Sequence, residues 1–183
     1  APTLEVAPLE LTINEGETGV FEVKADDPDG DAVRVSRRLE GIDVGELNRL
    51  EAVEIVSEDP VILRVTLSPD FDFVDHPAGE REFTIIVVVQ EDIPGGVTSM
   101  EREVHVTIND VNRAPTLIGV PGDFATDEGT AVEFSAVTSD ADGDEVTLTA
   151  TGLPFGAALV DGVFNWTPGR DQAGTYTITF TAE

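Results

Sequence analysis

Apolar and polar residues alternate along much of the chain. Phe21, Val23 and Ala25 are separated by Glu22 and Lys24, and Val61, Leu63, Val65 and Leu67 hold the same spacing, as do Val104, Val106 and Ile108. A two-residue period sends one set of side chains to a buried sheet face and the other to water. Val146, Leu148 and Ala150 repeat the pattern, and so do Tyr176, Ile178 and Phe180. The run Phe83 to Val89 is apolar almost without interruption and predicts a central strand buried on both sides. Clusters of Gly, Pro and Asp punctuate these segments as turns. Only Gly45 to Glu54, with Leu47, Leu50 and Val53 at helical spacing, predicts a helical turn. Many short strands separated by turn signals predict an all-β chain built as a β-sandwich.

The chain also repeats itself. Shifted by 113 positions, Ala1-Pro2-Thr3-Leu4 falls on Ala114-Pro115-Thr116-Leu117. Without a gap, the same register pairs Pro8 with Pro121, Glu15-Gly16 with Glu128-Gly129 and Phe21 with Phe134. It then pairs Asp27-Pro28-Asp29-Gly30-Asp31 with Asp140-Ala141-Asp142-Gly143-Asp144. A held register over so many turn and acidic positions marks two copies of one domain. The expectation is two tandem Greek-key β-sandwiches, residues 1–112 and 113–183. After its Tyr176-to-Thr181 segment the second copy has no counterpart of Met100 to Ile108. It is therefore expected to lack a last strand, to present an open edge or borrow a strand from a neighbour, and to end at a fragment boundary.

Charge narrows the partners. Asp and Glu total 37 against 10 Lys and Arg, a net charge of −27, and Lys24 is the one lysine. Such a surface repels nucleic acid and anionic membranes, and suits water and metal cations. The chain has no cysteine, which excludes disulfides, thiolate metal sites and cysteine nucleophiles. The longest apolar run, Ile85 to Val89, is far too short to insert into a bilayer. His76 and His105 read as surface residues, Arg37-Arg38 as an exposed pair, and Trp166, Phe71 and Phe73 as core residues. Nothing at Ala1 resembles a signal peptide, which suggests a mature chain or a piece of a longer one.

The acids are clustered. Asp27, Asp29 and Asp31 alternate along one turn, Asp140, Asp142 and Asp144 along another, and Asp70-Phe71-Asp72 repeats the spacing. Carboxylates at such spacing repel one another, and a hard divalent cation removes the cost. The same letters also suit simple turns and a salt-adapted acidic surface. An EF-hand does not fit: counting from Asp27, Ala32 takes the place of the required Gly and Arg38 that of the bidentate Glu.

Four motifs of the first copy resemble a cadherin repeat: Glu15-Gly16, then Ala25-Asp26-Asp27-Pro28-Asp29, then Asp70-Phe71-Asp72, then Asn109-Asp110-Val111-Asn112-Arg113-Ala114-Pro115. The resemblance spans that whole copy. It implies a calcium site at the interdomain linker made of Glu15, Asp70, Asp72, Asp110, Asn112, Asp140 and Asp142, with Asp27, Asp29 and Asp92 as half-sites toward a preceding domain. Arg113 and Ala114 stand where the vertebrate pattern has further ligands, which implies fewer ions than the full set. In the second copy Val163-Phe164-Asn165 is expected to replace the acidic pair. Its Gly162-to-Pro168 and Gly174-Thr175-Tyr176 segments resemble the cadherin-like and Ig-like repeats of large bacterial surface proteins.

The resemblance thus implies an extracellular, calcium-stiffened spacer or adhesive module whose partners are calcium and neighbouring repeats of its own parent chain. A second reading is a carbohydrate-binding or homophilic adhesion module, which would take polysaccharide or another copy of itself. Carboxylate pairs can cleave glycosides, but nothing here sets one acid apart from another as that chemistry needs. No nucleophile elbow, zinc helix or phosphate loop is present, so an enzyme is not expected.

Overall fold

Residues 1–91 and 99–183 are described by the computed structural model, and they divide into two units, Ala1–Val111 and Asn112–Glu183. In unit 1 the strands are β1 (Thr3–Ala7), β2 (Glu10–Asn14), β3 (Gly19–Asp26), β4 (Val33–Glu40), β5 (Glu51–Glu58), β6 (Val61–Leu67), β7 (Glu80–Glu91) and β8 (Ser99–Asn109). They form two four-stranded sheets, ordered β1-β3-β6-β5 and β2-β8-β7-β4. All ladders are antiparallel except β2 with β8. The inner faces meet in one core that includes Phe21, Val23, Val65, Leu67, Ile85, Val87, Val104, Val106 and Ile108. This is an Ig-like sandwich, and the two-residue period of the sequence is its cause.

β3 shows the alternation most fully. Phe21, Val23 and Ala25 are buried, while Val20, Glu22 and Lys24 face water. β7 lies between β8 and β4, and Ile85 through Val89 are all buried, as a doubly covered strand requires. The helical signal becomes α1 (Val44–Leu50), which buries Leu47 and Leu50. Asp43 caps it: its carboxylate accepts from the Glu46 N–H at 2.8 Å and Glu46 returns the bond to the Asp43 N–H at 3.2 Å. The helix stops because Glu51 turns directly into β5.

Unit 2 holds β9 (Thr116–Ile118), β10 (Val132–Ser135), β11 (Val137–Ser139), β12 (Leu148–Thr151), β13 (Ala158–Val160), β14 (Val163–Trp166) and β15 (Thr179–Ala182). β9 pairs with β11, β10 with β14 and β14 with β13, and β12 pairs with β15. Phe134 stacks on Phe164 at 4.8 Å between centroids, and Phe180 meets both edge-on at 5.6 and 5.9 Å, so the three rings pack together at its centre.

The internal repeat has a hydrogen-bonded basis. Gly16 (φ +76°) donates to the Pro69 carbonyl at 2.9 Å, and Gly129 (φ +77°) donates to that of Pro168 at 2.8 Å. Both glycines sit in the left-handed region, where a side chain is strained. Pro168 is thus the counterpart of Pro69, so Gly169-Arg170-Asp171 stands where unit 1 has Asp70-Phe71-Asp72. This corrects the expected correspondence with Val163-Phe164-Asn165, which instead forms β14.

Two further readings are revised. Phe71 is 39% exposed, not core, because it lies over Gly16, where a Cβ would come within 2.5 Å of its ring. Phe73 does pack against the core, edge-on to Phe83 at 6.3 Å. His76 is a largely covered partner of Asp110 rather than a surface residue. Arg37 and Arg38 are both exposed, the first paired with Glu51 and the second reaching Glu101 at 2.7 Å. Trp166 is buried and meets Tyr176 edge-on at 5.2 Å, so it offers no sugar platform.

Candidate functional site

The acidic motifs fall into three separate settings. In the first, strand parity does the placing. Phe21, Val23 and Ala25 face the core from β3, and Asp27, two residues further, continues on the same side; its side chain is 0% exposed. Ile85, Val87 and Val89 face the core from β7, and Glu91 continues that row with its side chain 5% exposed. Two carboxylates therefore extend two apolar stripes into one end of the sandwich. Asp29 joins them on the turn, where its N–H donates to Asp27 Oδ1 at 2.8 Å.

These three acids surround a cation, the Ala1 ammonium, at 3.4 Å from Asp27, 3.5 Å from Asp29 and 3.1 Å from Glu91. Asp27 Oδ2 and Glu91 Oε1 are fully covered and accept no hydrogen bond. Burial pushes the Asp27 carboxyl up, but the backbone N–H groups of Asp29 and Asp31 and the ammonium hold it below its usual value of 3.8. In turn, the close ion-pair contact with Glu91, opposed by desolvation and reinforced by Asp27, raises the ammonium from 8.0 to about 10. The site stabilises positive charge. Sequence reading found Asp27 and Asp29 but missed Glu91, although the parity of the Phe83–Val89 run carries that signal. Asp92, the residue expected in its place, lies outside the described residues.

The second setting, also in unit 1, is already internally satisfied. Glu15 is 2% exposed, and its carboxylate accepts from the Val74 N–H at 2.6 Å and the Val111 N–H at 3.3 Å. It thereby ties the 70–79 loop and the segment after β8 together. Asp110 Oδ2 lies 2.7 Å from His76 Nδ1. Asp70 accepts the Asp72 N–H at 3.3 Å and lies 3.6 Å from Arg49. Glu15 and Asp110 thus converge on one segment, with Asp70 and Asp72 on the neighbouring loop.

The third setting, in unit 2, carries an internal cation. Asp140 Oδ1 accepts from the Asp142 N–H at 2.7 Å and the Asp144 N–H at 3.3 Å, which holds the turn. Asp142, 2% exposed at its side chain, is clasped by Arg113. Arg113 donates its backbone N–H at 2.6 Å to one carboxylate oxygen, and Nε at 2.8 Å and a terminal nitrogen at 2.6 Å to the other. Two guanidinium nitrogens thus share one carboxylate oxygen while the backbone N–H takes the other, all of them charge-assisted bonds to the carboxylate. Asn112 and Asp140 line one concavity of about 280 Å³ together with Arg113, Asp144 and Glu145.

Among the described residues, no group of three or more acidic or histidine side chains has the spacing of a preformed metal cage. The Asp27–Asp29–Glu91 cluster fits a cation on other grounds: hard oxygen donors, two covered oxygens without hydrogen bonds, and an ammonium standing in for positive charge. Hard oxygen sets of this kind suit calcium, whose coordination tolerates irregular cages.

The fold and these sites define an Ig-like β-sandwich protein of strongly acidic character. Residues 112–183, the extent of unit 2, match the family model of the bacterial Ig domain. No curated protein matches the chain. Among solved structures, the chain is similar to the BIgI domain of beta protein from S. agalactiae bound to CEACAM1, with 15% identity and a TM-score of 0.42 over 61% of this chain and 99% of that one. It is also similar to the titin domains Z1Z2 in complex with telethonin, with 14% identity and a TM-score of 0.42 over 90% of this chain and 79% of that one. Among the described residues, no helix is long and apolar enough to cross a membrane.

Proposed function

We propose that the chain is a calcium-binding structural module of an extracellular bacterial surface protein, in which ions bound at the domain ends stiffen tandem Ig-like repeats. The observation that carries the reading is the pair of buried carboxylates, Asp27 and Glu91, that continue the core-facing rows of β3 and β7 and converge with Asp29 on a cation. A core-facing row ending in a carboxylate is costly unless a positive charge meets it. Asp27, Asp29 and Glu91 would hold calcium there, and the ion would supply the charge that the Ala1 ammonium supplies in this chain.

The interdomain set expected from the cadherin resemblance belongs to the same proposal. Glu15, Asp70, Asp72, Asp110, Asn112, Asp140 and Asp142 would contribute oxygens, with two qualifications from the geometry. Glu15 already orders two backbone segments and so acts as much as a strut as a ligand. Asp142 is held by Arg113, which stands where a metal would otherwise neutralise it.

Thermal melts in EGTA, in millimolar calcium and in millimolar magnesium test the reading. Calcium should raise Tm and magnesium should not, because its small octahedral shell is ill served by an irregular site. Asp27→Asn should abolish most of the shift. Equal melting temperatures in all three conditions would overturn the proposal.

A further inference from the structure

The two sheets of unit 1 end in free edges on the same flank. β5 closes the order β1-β3-β6-β5 and β4 closes β2-β8-β7-β4, and Arg37 of β4 pairs with Glu51 of β5 across the gap. Between the two strands lies a slot of about 250 Å³, lined by Val35 and Arg37 on one side and by Glu51 and Val53 on the other. Ladder register shows that these side chains belong to core-facing rows. Val35 and Arg37 stand opposite Val89 and Val87, and Glu51, Val53 and Ile55 stand opposite Leu67, Val65 and Leu63. Yet Val53 and Ile55 are 48% and 63% exposed. Core-facing apolar residues left in water beside an unpaired edge mark a surface for another strand to cover.

The two edges complement each other. β4 ends and β5 begins at the end of the sandwich where Arg37 meets Glu51, so the strands run in opposite directions. Read that way, Val33-Arg34-Val35-Ser36-Arg37 lies against Ile55-Glu54-Val53-Ala52-Glu51. Apolar meets apolar twice, Arg meets Glu twice, and Ser meets Ala. Charge is segregated to match. Four of the ten cationic residues, Arg34, Arg37, Arg38 and Arg49, fall within 34–49, whereas 51–59 holds Glu51, Glu54, Glu58 and Asp59 and no cation.

We infer that this flank binds a second copy of the chain about a two-fold axis parallel to the strands. Such an axis exchanges the two sheets but keeps height along the strands. Residues level with each other across the slot therefore become partners between copies. β4 of each copy pairs with β5 of the other, antiparallel and in the register above, and each sheet runs on into the next copy. The contact is isologous, so every pair occurs twice. Val35, Val53 and Ile55 of both copies close over the two slots as one core. On the outer face Arg34 meets Glu54 of the second copy; that carboxylate also lies 3.4 Å from Arg64 of its own chain, and its two oxygens accept from both. Main-chain hydrogen bonds supply the affinity, and the order of charges fixes the register. The inference does not depend on calcium.

The test is sedimentation of the full chain in EGTA over a concentration series, at roughly 0.3 M salt so that the −27 charges of the two copies are screened. A reversible dimer is expected. Arg34→Glu should weaken it at least about tenfold, because like charges then oppose each other in both ladders, and adding Glu54→Arg should restore it. Both side chains are exposed, and an unchanged Tm in the single variants separates lost pairing from lost folding. Cross-linking reads the register. The chain has no cysteine, so an equimolar mixture of Ser36→Cys and Ala52→Cys should oxidise to a disulfide-linked heterodimer, while Ser36→Cys alone should not. Three results would overturn the inference: a monomer at up to about 1 mM, a dimer that Arg34→Glu leaves intact, or a dimer without the 36–52 cross-link. The first would leave the Arg37–Glu51 pair as a guard of the two edges.

Discussion

Asp27 and Asp142 are both buried carboxylates, each met by a positive charge, and they should respond differently to its removal. The partner of Asp27 is an amine that can be neutralised. Its pKa, raised from 8.0 to about 10, means the folded state holds the proton more tightly than the unfolded one. The stabilisation is therefore complete below pH 8.0 and is lost as pH rises through about 10. Acetylating Ala1 should remove that alkaline dependence, lower Tm in EGTA and enlarge the calcium-induced rise; a pH series of melts on both forms checks all three. The partner of Asp142 is Arg113, which cannot be deprotonated. Arg113→Ala strands the buried carboxylate and should cost about 3 kcal/mol in unit 2, as expected for breaking one half of a covered pair. Adding Asp142→Asn should recover much of that loss in urea unfolding, and a double mutant that is no better than the single would refute the pairing. Asp27, Asp29, Asp140 and Asp142 were legible as clustered acids. That Arg113 neutralises one of them was not, because its departure from the cadherin pattern says which ligand is missing, not what replaces it. His76 was illegible for another reason: Asp110, its partner, is remote in sequence and joins it only through the fold.

Strand parity was the most legible feature of the elements. Phe21, Val23 and Ala25, and Val104, Val106 and Ile108, face the core as the two-residue period requires. Extending the Ile85, Val87 and Val89 row of β7 to its end would also have found Glu91. The Tyr176–Phe180 alternation reads equally well, yet β15 begins only at Thr179, since residues 173–178 belong to no described ladder. Pattern specifies which face a side chain takes; a partner strand decides whether the segment becomes part of a sheet. α1 shows local chemistry at work. Asp43→Ala removes the side-chain half of its capping box, the bond accepted from the Glu46 N–H, and should cost about 1 kcal/mol, measured as a shift of the urea midpoint at constant m. Val106→Ala, at the centre of the strand that β2 and β7 enclose, should cost about 2–3 kcal/mol by the loss of buried methyl groups. The comparison ranks strand packing above the cap.

For the whole molecule, the tandem architecture was readable from the ungapped repeat of residues 1–31 at 114–144, and equivalent left-handed glycines at 16 and 129 explain why that register holds. The later correspondence was less legible, because the 70–79 loop has a shorter counterpart and sequence spacing alone misassigned it. The chain carries a charge of −27, and its units bury carboxylates, Asp27 and Glu91 in one and Asp142 in the other; under the proposed function calcium is the counterion of such buried groups as well as of the surface. The most direct test is isothermal titration of calcium into the Ala1-acetylated chain, with Asp27→Asn as the reference. The account predicts saturable binding with a Kd in the range of about 0.1–1 mM, typical of extracellular calcium modules, lost in the Asp27 variant. Absence of saturable heat in the acetylated protein, or identical isotherms for the two, would contradict it.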